Sequence, residues 1–233
     1  MKKSILLSIL FISALIFAEN WFAKGIDAYQ KGYIKQAIEY FNKSVEKNPK
    51  FAEGYFNLGI AHVKIGDYDR GIVYYNQAIV INPKYLKAYQ NKGIAYRKKG
   101  YYNQAIECYL KVIEIDPSFD SAYNNLGYAY QVLEDYDEAI EYYHKALEVN
   151  PKNADANNNL GTSLYAKGLI EMAITYYLKA IEINNGFADA YYNLGIAYES
   201  ISNRGKNLLY TKKAAKLGHK EAQYYLNRKQ IKW

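Results

Sequence analysis

A 34-residue period runs through the sequence, and it constrains the fold more than any other feature. The four prolines of the chain all keep this interval: Pro49, Pro83, Pro117 and Pro151. Six glycines and five other small residues keep it too: Gly25, Gly59, Gly93, Gly127, Gly161 and Gly195, and Ala37, Gly71, Ala105, Ala139 and Ala173. Three series in phase predict six tandem copies of one supersecondary unit over residues 19–221.

Each unit is predicted to be a helical hairpin, so we expect an all-α fold. Two helical segments are separated by turn residues, and a proline or asparagine ends the second segment. Glycine at the eighth position and a small residue at the twentieth let the two backbones approach, while an aromatic ring at the twenty-fourth fills the gap. An acid near the start of the second helix, such as Asp69 or Asp137, is predicted to accept its free amide hydrogens.

The motif within each unit resembles the tetratricopeptide repeat. In the fourth unit it consists of Tyr123, Leu126, Gly127, Tyr130, Ala139, Tyr143 and Pro151. Residues 52–153 match the family pattern almost position for position, whereas the last unit more closely resembles the related Sel1-like repeat. The resemblance implies a right-handed α-solenoid of stacked helix-turn-helix hairpins. A capping helix is expected over residues 222–233, with Tyr224, Tyr225 and Leu226 facing the sixth repeat.

The family resemblance also implies a concave peptide groove lined by the first helix of each repeat. Its central, sixth position is asparagine in five repeats: Asn57, Asn91, Asn125, Asn159 and Asn193. An asparagine amide offers both a donor and an acceptor, so this asparagine file is predicted to hold the backbone of an extended peptide. The alternative is that asparagine is simply a common polar residue at a solvated helix position.

Apolar and aromatic side chains are predicted to lie beside the asparagine file: Phe56, Ile60, Ile94, Tyr128, Tyr192 and Ile196. Such mixed surfaces suit peptides. Some co-chaperone members of the family hold a C-terminal carboxylate with lysine, asparagine and arginine. Only Lys87 and the asparagines fit that pattern here, so carboxylate-clamp binding is not predicted.

Tyrosine dominates the twenty-third position: Tyr40, Tyr74, Tyr142, Tyr176 and Tyr210, with Cys108 in the third unit. At about 100° per residue this position lies at the edge of the buried stripe, which favours aromatic packing. The alternative is an outer aromatic strip for self-assembly or for stacking on sugars. Cys108 is interpreted as a packing residue.

The composition does not favour an enzyme or a metalloprotein. The sequence has one cysteine and three histidines, and His62, His144 and His219 fall in different units. No catalytic triad, cofactor or metal site is predicted. The weak metal candidates are the pair His144 and Glu148 and the acidic run over residues 134–138.

Charge is unevenly distributed along the chain. The formal net charge is +7, and from Arg204 onward there are nine lysines and arginines against one acid. This basic end is a candidate for docking onto anionic lipid, a cell-wall polymer or an acidic partner. Nucleic-acid binding is not predicted, because the basic residues do not alternate with the groove aromatics.

The N-terminus is predicted to be a signal peptide over residues 1–18. Lys2 and Lys3 precede a mainly apolar run that ends before Ala18, and the run is too short for a typical membrane span. We expect export to the periplasm, cell envelope or exterior, with an uncleaved inner-membrane anchor as the alternative. The predicted function is an exported scaffold that binds a peptide segment of an envelope protein. The alternatives are a self-assembling structural component or a cell-wall glycan binder.

Overall fold

A computed structural model describes residues 18–233, so the predicted signal sequence lies outside the described residues except for Ala18. Within residues 18–233 the regular elements are α-helices, and there are no β-strands. In that same range no helix combines the length and the apolar character needed to cross a bilayer. Within the described residues the chain divides into two compact units, one ending at Asp116 and the other extending over Pro117–Trp233.

The first unit is a stack of three helical hairpins. Its helices are α1 (18–30), α2 (Ile34–Lys47), α3 (Ala52–Lys64), α4 (Tyr68–Ile81), α5 (Leu86–Lys98) and α6 (Tyr102–Ile115). Consecutive helices pack against one another from α2 to α6. Each hairpin therefore lies on the next within this unit.

The second unit repeats the arrangement with three further hairpins and a terminal helix. Its helices are α7 (Asp120–Val132), α8 (Tyr136–Val149), α9 (Ala154–Ala166), α10 (Ile170–Ile183), α11 (Ala188–Ser200), α12 (Arg204–Lys216) and α13 (Lys220–Arg228). The predicted all-α solenoid of stacked helix-turn-helix hairpins is confirmed.

The eighth-position glycine is required because an aromatic ring packs directly on it. A Cβ atom added at Gly127 would lie 2.7 Å from the ring of Tyr143, and one at Gly59 would lie 2.4 Å from the ring of Tyr75. Both rings are at most 1% exposed. The ring therefore packs between the two helices of the hairpin at a distance that leaves room only for glycine, as the repeat pattern predicts.

Tyr143 also connects neighbouring hairpins of the second unit. Its hydroxyl donates to Oε1 of Gln131 at 2.9 Å, and the same oxygen accepts from Oγ of Ser163 at 3.0 Å. Burial raises the pKa of Tyr143, so the phenol is neutral and acts as a donor. A single amide oxygen thus joins α7, α8 and α9.

The acid that caps the second helix of a hairpin is not the one predicted from the sequence. The acid that caps α4 is Asp67, whose Oδ1 accepts from the backbone N–H of Arg70 at 3.1 Å. Asp69 and Asp137, the two acids predicted for this role, are the second residues of α4 and α8. Each pairs instead with a lysine of the following hairpin, Asp69 with Lys99 and Asp137 with Lys167. They therefore connect hairpins rather than cap helices.

The C-terminal helix α13 begins at Lys220, before the predicted start of the cap, and ends at Arg228. His219 caps it, because Nδ1 accepts from the backbone N–H of Ala222 at 3.2 Å. Leu226 is fully buried as predicted, but Tyr224 is 67% exposed, so its predicted contact with the sixth repeat is wrong. Two residues along a helix correspond to a rotation of about 200°, which places Tyr224 on the opposite face from Leu226.

Candidate peptide-binding surface

The first helices of neighbouring hairpins touch within each unit and bring the asparagine file together in two groups. In the first unit α3 contacts α5, and in the second unit α9 contacts both α7 and α11. Asn57 and Asn91 lie on the first pair of helices, and Asn125, Asn159 and Asn193 lie on the other three. All five side chains are partly exposed, as binding groups must be.

In the second unit, asparagine side chains form a continuous hydrogen-bonded network. The Nδ2 atom of Asn193 donates to Oδ1 of Asn158 at 3.0 Å, and Nδ2 of Asn158 donates to Oδ1 of Asn159 at 3.4 Å. The Nδ2 atom of Asn159 then donates to Oδ1 of Asn124 at 3.3 Å. This asparagine network of Asn124, Asn158, Asn159 and Asn193 joins α7, α9 and α11.

Two members of the network are not among the site residues predicted from the sequence. Asn124 and Asn158 occupy the fifth position of their repeats, next to the asparagines of the predicted file. The signal that could have found them is the Asn-Asn pair that recurs in two successive repeats. Each bond uses one donor or one acceptor of an amide that has two N–H groups and two oxygen lone pairs, so bonding capacity remains for a ligand.

In the first unit the amides are oriented by their own helices instead. The Nδ2 atom of Asn57 donates to the carbonyl oxygen of Glu53, and Nδ2 of Asn91 donates to that of Lys87, both at 2.8 Å. Each bond spans one helical turn and uses one of the two amide N–H groups. These two side chains therefore have a defined orientation without a bond from one hairpin to the next.

The predicted apolar neighbours of the asparagine file differ in how much surface they offer. Phe56 is 8% exposed and packs against Tyr85 and Tyr75, with ring centroids 5.0 and 5.8 Å away, so it belongs mainly to the core. The other predicted neighbours are half-buried: Ile60, Ile94, Tyr128, Tyr192 and Ile196. These five present apolar surface between the amides.

Tyr192 is positioned by the residue that caps the last helix. Its ring stacks on His219 with the centroids 4.2 Å apart and the planes at 28°. His219 Nε2 in turn lies 3.6 Å from a carboxylate oxygen of Asp189, which is on α11 with Tyr192. The terminal helix therefore orders an aromatic side chain of the candidate surface.

The histidines pack against aromatic rings on separate hairpins. His62 is 4% exposed, and its Nδ1 lies 3.3 Å from Oδ2 of Asp67. The ring of His144 meets the edge of Tyr176 with the centroids 6.0 Å apart. Across residues 18–233, no three His, Cys, Asp or Glu side chains are grouped so that they could hold a metal ion.

Two surface cavities lie away from the asparagine file. A cavity of about 350 Å³ near the C-terminal end is lined by residues that include Glu199, Arg204, Tyr225 and Lys229. A second cavity, of about 500 Å³, lies beside Cys108. The candidate peptide-binding surface is an open helical face, which suits an extended chain better than a compact small molecule.

The sequence matches family models of the tetratricopeptide repeat. One model, described as "Tetratricopeptide repeat", matches residues 52–85 and 121–153. Another, described as "TPR repeat", matches residues 27–66, 93–133 and 161–201. The Sel1-like character predicted for the sixth repeat is not confirmed by these matches and stays a prediction.

Solved structures with the same architecture cover most of the chain. A crystal structure of MamA is 32% identical, covers 72% of this chain and 98% of its own, and has a TM-score of 0.64. YrrB, described as a TPR protein with an unusual peptide-binding site, is 26% identical over 82% of this chain and 98% of its own, with a TM-score of 0.63. PilF of Pseudomonas aeruginosa shares the fold at a TM-score of 0.76 and 18% identity, covering 93% of this chain and 99% of its own.

Among curated proteins, an uncharacterized protein of Methanocaldococcus jannaschii is 47% identical over 32 residues. The match covers 14% of this chain and 37% of that protein, so the chain spans well under half the length of this relative.

Proposed function

Because this chain belongs to the tetratricopeptide repeat family, we propose that it is a protein-interaction scaffold whose second unit binds an extended segment of a partner protein along α7, α9 and α11. The observation that carries this proposal is the asparagine network, in which Asn193, Asn158, Asn159 and Asn124 fix one another's amides across three first helices. Tetratricopeptide repeats are typically non-catalytic scaffolds, so no reaction is proposed.

The network favours recognition of peptide backbone rather than of particular side chains. An extended peptide presents N–H and C=O groups alternately, and asparagine amides can pair with both. Amides that are already oriented lose little side-chain entropy when a ligand binds, so less of the contact energy is offset. Tyr192, Tyr128 and Ile196 supply apolar contact for alternate side chains of the peptide.

Site-specific photo-crosslinking tests where the partner lies. A photoreactive residue at position 125 on α7 is expected to capture one partner, and mass spectrometry is expected to place the adduct within a short contiguous segment. The matched control is a photoreactive residue at position 76 on α4, a second helix. Equal capture of the same segment from both positions would contradict the proposed surface.

A peptide made from the captured segment tests backbone recognition directly. N-methylation of alternate backbone amides removes donors without changing the side chains, so it is expected to weaken binding at least about tenfold. Alanine replacement of single peptide side chains is expected to cost less on average. The opposite ranking would show that side chains, not backbone, are recognised.

We also propose that the chain is exported and that its leader is removed after Ala18. The lysines and the apolar run of residues 1–18 support this proposal. In the described structure the carbonyl of Ala18 accepts from Oγ of Ser44 at 2.8 Å, so cleavage would remove an acceptor from a fully buried hydroxyl.

The mass of the native protein tests export. A chain beginning at Glu19 in the envelope or medium is expected. A chain beginning at Met1 in the cytosol would contradict export, and an intact chain in the membrane fraction would favour the anchored alternative. Ser44→Ala is expected to destabilise the uncleaved chain by about 1 kcal/mol and the cleaved chain by less.

A further inference from the structure

Aromatic rings stack in pairs inside the hairpins. In three hairpins a ring on the first helix, at the fourth position of the repeat, stacks on the tyrosine at the twenty-third position on the second helix, with interplanar angles of 26° to 29°. The centroid separations are 5.6 Å for Trp21 and Tyr40, 6.5 Å for Tyr55 and Tyr74, and 6.3 Å for Tyr191 and Tyr210. These stacks lie between the two helices of the first, second and sixth hairpins.

In three hairpins a lysine one helical turn later lies over the ring of the twenty-third-position tyrosine. The distance from the lysine Nζ to the ring centroid is 5.8 Å for Lys43 and Tyr40, 4.8 Å for Lys145 and Tyr142, and 4.6 Å for Lys179 and Tyr176. An ammonium group over an aromatic face is an attractive arrangement. This aromatic and lysine cluster, made of a fourth-position ring, the twenty-third-position tyrosine and the lysine, is complete in the first hairpin. Each of the other four hairpins with that tyrosine has either the stacked ring or the lysine.

The third hairpin has the surroundings of this cluster but not its second ring. Tyr89 occupies the fourth position on α5, while the twenty-third position on α6 is Cys108. A cavity of about 500 Å³ is open there, lined by Tyr89, Cys108, Leu110 and the charged residues Lys92, Lys111, Glu107 and Glu114. The side chain of Lys111 pairs with Glu114.

The lining of this cavity is suited to an aromatic ring. Cys108 is 3% exposed, and burial raises the pKa of its thiol to about 11, so the floor of the cavity is uncharged. Tyr89 supplies a stacking wall, and Leu110, which is 41% exposed, supplies an apolar rim. Lys92 and Lys111 line the cavity together with Glu107 and Glu114, at the position where the other hairpins have a tyrosine.

We propose that this cavity binds a tyrosine side chain of a partner protein, which completes on Tyr89 the stack that the first, second and sixth hairpins complete with a tyrosine of their own. The site uses α5 and α6 and none of the asparagine file, so it is a second contact that does not depend on the proposed peptide surface. A partner that engages both sites would gain affinity through the higher effective concentration of the second contact.

The tyrosine side-chain analogue p-cresol tests the cavity without knowledge of the partner. In the wild-type chain, titration is expected to shift the amide resonances of Tyr89, Lys92, Leu110 and Lys111 with half-saturation on the order of millimolar. In Cys108→Tyr the chain's own ring fills the cavity, and the shifts are expected to weaken at least about tenfold. In Cys108→Ala, which keeps the cavity open, they are expected to persist.

A second variant covers the case in which Cys108→Tyr does not fold. Tyr89→Leu removes the stacking face while keeping an apolar side chain, and it is expected to weaken p-cresol binding at least about fivefold. Undiminished binding by a folded Cys108→Tyr or Tyr89→Leu chain would overturn the proposal. So would the absence of localised shifts in the wild-type chain.

Sedimentation distinguishes a partner protein from a second copy of this chain. The proposal expects the same oligomeric state for the wild-type chain and Cys108→Tyr. A wild-type dimer that Cys108→Tyr converts to a monomer would make a second copy the occupant and would contradict the assignment to a partner.

Discussion

The side-chain amide of Asn193 donates a 3.0 Å hydrogen bond to Oδ1 of Asn158, and this bond joins α11 to α9. Asn158 is 7% exposed, so its oxygen has little access to water. The bond orients Asn193, a member of the predicted asparagine file, through a residue that does not belong to that file. The orientation of Asn193 therefore depends on a supporting amide that is itself nearly buried.

A double-mutant cycle measures this relationship. Asn158→Ala and Asn193→Ala are expected to couple by about 0.5–1.5 kcal/mol in urea unfolding, because either change removes the shared bond. The control pair is Asn158→Ala with Asn184→Ala, since Asn184 bonds only locally to the N–H of Gly186. Coupling no larger than in the control pair would mean that the amide bond contributes nothing to stability.

Gly127→Ala is expected to lower the free energy of unfolding by about 1–3 kcal/mol. Its Cβ would meet the Tyr143 ring at 2.7 Å, and that ring is fully buried and hydrogen-bonded to Gln131. Gly186→Ala is the control, because the nearest atom is 3.5 Å away and its φ is not positive. If both variants unfold at the same denaturant concentration, the close approach of ring and helix does not limit stability.

Glu134→Gly is expected to stabilise the chain by about 0.5–1 kcal/mol. Glu134 has a φ of 63°, in the left-handed region, where four other repeats have a glycine with positive φ: Gly32, Gly66, Gly100 and Gly168. Glycine adopts this conformation without the steric cost that a Cβ imposes. Glu134→Ala keeps the Cβ and is expected to give no such gain in thermal unfolding. A gain from alanine equal to that from glycine would point to charge rather than strain.

Asp67 gives the first unit an acid-sensitive cap. The backbone N–H of Arg70, with a smaller contribution from His62, holds the pKa of this carboxyl below its ordinary value of 3.8. A lowered pKa in the folded state means that the stabilisation is present above pH 3.8 and is lost as the pH falls through the folded-state value.

Asp67→Ala is therefore expected to cost about 1 kcal/mol at neutral pH, and the difference from wild type is expected to shrink in acid. Urea unfolding across the acid range measures both quantities. Asp69→Ala, which removes an exposed ion pair with Lys99, is the control and is expected to cost less at neutral pH. A pH-independent cost of Asp67→Ala would show that the carboxylate charge is not what stabilises the cap.

The repeat period predicted the hairpins and their closest contacts because both depend on residues at fixed offsets. Gly127 and Tyr143 are 16 positions apart, and hairpin geometry alone brings them together. The asparagine file follows from the same phase, although its role in binding stays a prediction. Asn158 was not predicted because its bonds depend on the offset between neighbouring hairpins, which a single repeat does not encode.

Local ambiguities account for the other differences. Asp67 and Asp69 are both acids near the start of α4, and only the backbone geometry shows that Asp67 is the last residue before the helix. Tyr224 was expected to face the sixth repeat because it precedes Leu226 in an apolar run. Helical rotation separates these two residues even though they are close in sequence.

The affinity of the crosslinked partner segment for the purified chain tests the central claim most directly. Isothermal titration is expected to show that replacing Asn125, Asn159 and Asn193 together by alanine weakens binding at least about tenfold while the helical circular dichroism is unchanged. Replacing Asn42, Asn76 and Asn103 on the second helices is expected to change it less than about twofold. Equal affinities for a folded triple variant and the wild-type chain would contradict the assignment of peptide binding to these asparagines.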